Sequence, residues 1–372
     1  MVAINNLQRK LIRDLADSKA QFGAVIGIIA IGIAAFVGTY ESYQNLYVSY
    51  EYTYDLLSMG DYFITVDYLP ERAVREMNDI PGVHAQGRIV GNVKIDLDTE
   101  GGERVEGRIV SLPSDTRPIV GDVEVQSGTY FSPGNRRQLM LQQAFADYHE
   151  LEPGDWLTLE NNERKTSYYI SGIAVSPEYL WVAKSAAEPI ATPKTFGVLF
   201  MPQQRAEDMF GMQGMVNDIG LIFDDGVDVD EAVEQVKSIL TGYGIKRFTS
   251  KNDPVAVSTR KIDIVQGVRT AYMVAREDQW SHQMLKSDLD GFQQMAVMFP
   301  MLFLSLAALA IYVLLNRLVE SQRVQIGLMR ALGYSKLHVL GHFIGFALVV
   351  GVLGSLIGAV LGHLLASSMT TY

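Results

Sequence analysis

The sequence predicts an α+β membrane protein: three transmembrane helices, with a large mixed α/β extracytoplasmic domain inserted after the first. Three observations carry this. The 372 residues contain no Asp, Glu, Lys or Arg from Ala20 to Tyr40, from Gly291 to Asn316, or from Leu337 to Tyr372. About 20 apolar residues suffice to cross a bilayer, so each run is long enough. The charges outside the runs are also segregated. Arg9, Lys10, Arg13 and Lys19 precede the first run, and Arg317, Arg323, Arg330 and Lys336 lie between the second and third, whereas residues 41–290 hold 23 basic against 39 acidic side chains. Short Lys/Arg-rich segments stay in the cytoplasm. The N-terminus and the 317–336 loop are therefore expected inside, and the acidic middle and Tyr372 outside. The overall mean hydropathy of +0.11 hides this division.

The same counts exclude several classes. With no Cys there is no disulfide framework, Cys-ligated zinc site or thiol nucleophile. A net charge of −11 argues against a nucleic-acid binder. The first run is longer than a signal-peptide core and passes from Phe36 straight into Tyr40, Tyr43 and Tyr47 without a small-residue cleavage site, so it reads as an uncleaved anchor.

In chain order, residues 1–20 form a cytoplasmic amphipathic helix, with Ile4, Leu7, Leu11 and Leu15 at helical spacing. Residues 21–40 are the first transmembrane helix. Phe36, Tyr40, Tyr43, Tyr47, Tyr50 and Tyr54 continue it at steps of four and three, so the helix extends beyond the membrane and packs on something. That aromatic stripe reads either as a stalk seam or as a wall for an amphiphilic substrate. Within the extracytoplasmic domain, 41–290, strands are expected at Asp61–Leu69, Trp156–Glu160, Tyr168–Val175, Phe196–Met201 and Asp218–Phe223. Arg88–Leu97 and Arg104–Leu112 flank a hairpin turn at residues 98–102, and Leu139–Leu151 reads as strand then helix. Helices are expected at Pro70–Ile80, Pro202–Met212, Val229–Tyr243 and near Val265–Asp290.

Residues 295–315 are the second transmembrane helix, with Pro300 in its first turns. Residues 316–338 are a cytoplasmic loop, and 339–368 the third transmembrane helix. In the third, Gly354, Gly358 and Gly362 recur every four residues with Gly351 near the same face, a spacing that lets helix backbones approach in lipid. Gly23/Gly27 and Ala30/Ala34/Gly38 give the first span a weaker version.

Chemistry-bearing motifs are scarce. The chain has no phosphate-cradling G-x-x-x-x-G-K-[ST] loop, no G-x-S-x-G and no H-E-x-x-H. His338 and His342 have metal-pair spacing without the Glu, and read as interfacial packing; His363 reads as structural. No acid or base falls inside a span, which disfavours a proton-coupled pump. No catalytic, cofactor-binding or metal residue is assigned.

The inner loop is the informative stretch. Glu320–Gly333 reads as a short amphipathic helix, with Ile326, Met329 and Leu332/Gly333 on one face, Arg323 and Arg330 flanking it and Gly333 as its stop. The pattern Glu320-x-x-Arg323-x-x-Ile326-Gly327-x-Met329-Arg330-Ala331-Leu332-Gly333 resembles the inner loop of the FtsX-like permeases, the membrane subunits of MacB- and LolCDE-type ABC transporters. Gly128-Thr129-Tyr130-Phe131, Leu139–Ala144, Leu151–Asp155 and Ile170–Ile173 are similar to that family's core domain, as is the Gly-rich third span to its membrane domain. The order of elements resembles the N-terminal half of longer, duplicated permeases of the family. The resemblance implies a non-catalytic subunit without its own cofactor, ATP and magnesium belonging to a partner ATPase. The docking positions on that ATPase would be Glu320, Arg323, Ile326, Gly327, Met329, Arg330 and Gly333.

It further implies a bacterial inner membrane, a cargo such as a lipid, lipoprotein or amphiphilic peptide, and an exterior adaptor protein. Family members have a fourth span, so the chain is expected to be truncated or completed by a second permease copy or complementary half. A mechanotransmitting regulator of an exterior enzyme and a membrane-anchored sensor are the alternative readings.

Overall fold

The computed structural model describes residues 19–97, 104–135, 137–182, 191–249 and 267–370. The expected amphipathic helix at 1–20 falls almost wholly outside them, as does the turn at 98–102. Contacts divide the chain into a helical unit, residues 1–49 with 287–372, and an α/β unit, residues 50–286.

In the α/β unit, alternation and β-branched residues produce two sheets. The first has the order β11-β12-β1-β10-β2. Its strands are β1 (Tyr62–Pro70), β2 (Val83–Arg88), β10 (Met215–Phe223), β11 (Arg247–Thr249) and β12 (Thr270–Ala275). Only the β11–β12 pair is parallel. Two amphipathic helices, α2 (Glu71–Asn78) and α5 (Val229–Gly242), cover one face. Ala232, Val233, Val236 and Leu240 of α5 recur at helical spacing and meet Ile64, Leu69, Met77 and Ile219 in one apolar cluster. The Asp228 side chain caps α5 by accepting from the Glu231 N–H at 3.1 Å.

The second sheet contains β3 (Val90–Asp96), β4 (Arg104–Leu112), β5 (Glu124–Gly128), β6 (Gln138–Gln142), β7 (Trp156–Asn161), β8 (Arg164–Val175) and β9 (Phe196–Pro202). Strand β8 is long enough to pair with β7 through its first half and with β6 and β5 through its second. The pairings β8–β6–β9–β4–β3–β7–β8 thereby close a ring. β6 and β9 are buried along their whole lengths, as their near-continuous apolar sequences require. Ile95, Ile109, Leu139, Leu157, Tyr168 and Leu199 fill the core, with Phe145 of α3 (Gln143–Tyr148). Helix α4 (Gln203–Phe210) follows β9 directly.

In the secondary structure of the α/β unit, the described residues correct the sequence reading in one place and add to it in three. Thr270–Ala275 is a strand, not part of a helix over Val265–Asp290: its residues pair with both β1 and β11, and the next helix starts at Trp280. The short strands β2, β5 and β11 were not anticipated. They lie at sheet edges, where a few paired residues need no strong alternation.

The helical unit is built from α1 (Lys19–Leu56), α6 (Trp280–Ser321), α7 (Arg323–Ala331) and α8 (Lys336–Thr370). α1, α6 and α8 are each long and apolar enough to cross a membrane. α1 and α6 also contribute residues to the α/β unit. Phe22, Val25, Ile29, Ala307, Phe343, Phe346 and Val350 form the bundle's apolar cluster, in which Phe22 and Phe346 stack at 5.5 Å.

Candidate functional site

The inner loop folds as the compact helix α7, separated from α6 by Gln322 alone. Its end follows from one glycine. Gly333 adopts φ +91°, and the Gly333 and Tyr334 N–H groups donate to the Arg330 and Met329 carbonyls at 3.2 and 3.1 Å. This paired arrangement closes a helix at a left-handed residue, which only glycine adopts without strain. The Arg330 guanidinium donates to the Tyr334 carbonyl at 3.2 Å and ties the turn down.

The faces of α7 differ from the sequence expectation. Ile326 packs against the bundle cluster, and both it and Met329 are half-buried. The exposed apolar residues are Val324, Leu328 and Leu332, at 87%, 62% and 71% exposure, which recur every four positions along one side. Arg323, Gly327 and Arg330 are exposed beside them, as is Glu320 at the end of α6. The sequence placed the apolar surface on Ile326, Met329 and Leu332. Leu332 is exposed as expected, whereas Ile326 and Met329 are not, because α7 uses the Ile326 side to seat itself on its own bundle, which no local pattern shows.

The glycines of α8 divide. A Cβ on Gly354 would come within 2.8 Å of Ile29, one on Gly358 within 2.6 Å of the Ala30 carbonyl, and one on Gly362 within 2.6 Å of Val37. α8 and α1 therefore meet backbone to backbone along these three positions. Gly351 is not part of this contact: nothing lies within 4 Å of its would-be Cβ. On α1, Ala30 and Ala34 are buried there, whereas Gly23 and Gly27 face open space. His363 and Glu41 approach to 3.0 Å near the far end of the same helix pair. His338 bonds Ser335, and His342 packs edge-on to Phe343 and Phe346. Among the described residues, no three His, Asp or Glu side chains gather as metal donors.

The tyrosines of α1 pair along the helix. Tyr40 stacks on Phe36, Tyr43 sits beside Tyr47, and Tyr50 meets Tyr54 edge-on at 5.3 Å. Tyr40 and Tyr47 are exposed. Tyr54 is buried with Met59 and Phe63, and its hydroxyl lies 3.2 Å from His282 Nδ1 on α6.

Sequence reasoning missed one cluster altogether. Arg88, at the end of β2, is buried with Glu178 and Asp218. Its guanidinium grips Glu178 with two N–H groups, one at 2.8 Å, and donates from Nε to Asp218 at 2.7 Å. Thr65 donates to the other Asp218 oxygen at 3.0 Å. Arg88, Asp218 and Thr65 belong to the first sheet, and Glu178 follows β8 of the second. This ion cluster therefore joins the two sheets of the α/β unit. Burial opposes charge on Arg88, and the two carboxylates more than restore it, holding its pKa well above the usual arginine range.

Comparison with known proteins places this architecture. The model for the MacB-like periplasmic core domain matches residues 22–239, and that for the FtsX-like permease C-terminal domain matches residues 297–372. The chain belongs to the MacB/FtsX-like permease family. Permeases of this type are membrane subunits of ABC transporters, generally non-catalytic, and work with ABC ATPase partners. No curated protein matches the chain. Among solved structures, it is similar to the extracellular domain of the noncanonic ABC-type transporter YknZ from Gram-positive bacteria. Identity is 12% and the TM-score 0.31, covering 55% of this chain and 89% of that one. It is also similar to the periplasmic region of MacB from Actinobacillus actinomycetemcomitans, at 7% identity and TM-score 0.34, covering 65% and 98%.

Proposed function

We propose that this permease is a mechanotransmitting subunit in a bacterial inner membrane, with its α/β unit outside. ATP and magnesium are bound by a separate cytoplasmic ATPase, which docks on α7. Closure of the ATPase shifts α7, and the continuous helices α1 and α6 carry the movement to the α/β unit, a two-state change passed through rigid elements. The work drives extraction or export of a lipid, lipoprotein or amphiphilic peptide, with the help of an exterior adaptor. A second permease copy or complementary half covers α6, whose apolar window is only 6% buried against 39% for α1.

The observation that carries this reading is the exposed stripe Val324/Leu328/Leu332 beside Arg323 and Arg330. A short amphipathic helix with an unfilled apolar side and flanking cations fits an apolar groove with an acidic rim. The test is co-purification of the full chain with its ABC ATPase, comparing wild type with Val324→Asp/Leu328→Asp. Retention by wild type and loss from the variant is expected; equal retention by both removes α7 from the interface. Ile326→Asp is unsuitable, because it would disturb the bundle itself.

A further inference from the structure

The acidic balance of the α/β unit conceals a local reversal. A half-open cavity of about 510 Å³ lies where the β7–β8 hairpin, the start of β6 and α4 converge, lined by Arg137, Arg164, Lys165 and Arg205 with Trp156, Thr166 and Ser167. Among the described residues, no carboxylate lines it. Lys165 is bridged to Asp96 on β3, one strand beyond β7. Arg205 donates from Nε and Nη2 to the Tyr168 hydroxyl at 2.9 and 2.7 Å. Arg137 and Arg164 are exposed, and neither guanidinium has a carboxylate partner among the described residues.

We propose that this cavity is a binding site for a phosphate-bearing ligand, the phosphate held by the Arg137, Arg164 and Arg205 guanidiniums and the adjoining group laid against Trp156. The charge count selects the class. One carboxylate is matched by one guanidinium fork; with Lys165 already bridged to Asp96, the three guanidiniums of Arg137, Arg164 and Arg205 still call for an oxyanion of more than one charge. Guanidinium forks match phosphate oxygens better than point charges do. Arg205 is already set by Tyr168, so one donor group is fixed before the ligand arrives. Burial raises the Tyr168 pKa, and the bonds from Arg205 and the charges of Arg164 and Arg137 pull it back, which places all three cations within electrostatic reach of one hydroxyl. Trp156 is exposed at the rim, edge-on to Tyr169 at 5.8 Å, and offers a flat apolar wall. The proposal is independent of α7 and its partner.

The phosphate can come from a soluble molecule or a lipid headgroup, and the test separates these. The full chain alone, in neutral detergent, is titrated calorimetrically with inorganic pyrophosphate, and separately with micelles carrying phosphatidic acid or phosphatidylcholine. The variants are Arg137→Ala/Arg164→Ala, the charge-retaining Arg164→Lys, and Arg72→Ala on α2 as a remote control. Saturable, salt-sensitive pyrophosphate binding is expected, weakened at least tenfold in the double variant, about threefold in Arg164→Lys and not in Arg72→Ala. Binding confined to phosphatidic acid micelles and lost in the double variant assigns the phosphate to a headgroup. No saturable binding to either probe, or equal binding by a double variant with the wild-type thermal midpoint, overturns the proposal.

Discussion

The two units of this permease bury their residues by different rules. The α/β unit closes apolar cores around fully buried side chains such as Phe145, Tyr168 and Met77, and it spends a buried ion cluster on joining its sheets. The helical unit leaves most of its large side chains outward: Leu309, Val313, Leu348, Leu356 and Leu364 are all exposed. Beside the cluster around Phe22 and Phe346, its α1–α8 contact closes on Gly354, Gly358 and Gly362 against Ala30 and Ala34. Water drives apolar side chains inward in the first unit. Lipid removes that drive in the second, so close backbone approach decides which faces meet. A side chain's exposure therefore means opposite things in the two units, and on α7, the short helix linking two apolar ones, the exposed stripe Val324/Leu328/Leu332 is the surface the proposed ATPase contact would use.

Substitutions can break this contrast, beginning where the effect is largest. Arg88→Ala strands two buried carboxylates and should cost about 3–5 kcal/mol, read by denaturant unfolding of the full chain in detergent. Replacing Arg88, Glu178 and Asp218 together with Met, Leu and Leu should recover most of that, since no charge is then left unpaired. A pair of phenylalanines compares the units directly. Phe145→Ala should cost about 3–5 kcal/mol. Phe346→Ala, equally buried, should cost about 1.5–3 kcal/mol less, because the transfer from water is missing in lipid. Equal losses at the two positions would undo the distinction.

Smaller effects sharpen it. Gly358→Val drives a side chain into the Ala30 carbonyl and Ile33 and should lower stability by about 1–3 kcal/mol, whereas Gly351→Val should leave the thermal midpoint within a degree or so of wild type. The smallest effect belongs to Glu207. Burial raises its pKa above 4.5 in the folded state, so the folded chain holds that proton longer than the unfolded one. Its contribution is full below pH 4.5 and lost as pH rises through the raised value. Glu207→Gln should flatten the stability profile in that window and leave it unchanged elsewhere.

The three apolar helices, the hairpin strands flanking residues 98–102 and the β6–α3 pair were legible in the sequence, because charge depletion and alternation are local signals. Strand β12 was not. Its short run Thr270–Ala275 stands just ahead of a long helix, and only its pairing with β1, some 200 residues earlier, selects the extended form. The ion cluster escaped for a related reason: Glu178 and Asp218 lie 90 and 130 residues from Arg88, and nothing local marks the three as partners. The cationic cavity was hidden by the acidic sum over its domain. On α7 the helix, its glycine stop and its arginines could be read, but the choice between its two apolar sides depended on which one its own bundle covers.

That choice is the most direct test of the account. The chain has no cysteine, so single-cysteine variants report one position each without further engineering. Cross-linking of Leu328→Cys and of Ile326→Cys to the ABC ATPase in native membranes should give a strong adduct at 328 and little at 326. A strong adduct at 326 with none at 328, or none at either, would contradict the proposed docking face.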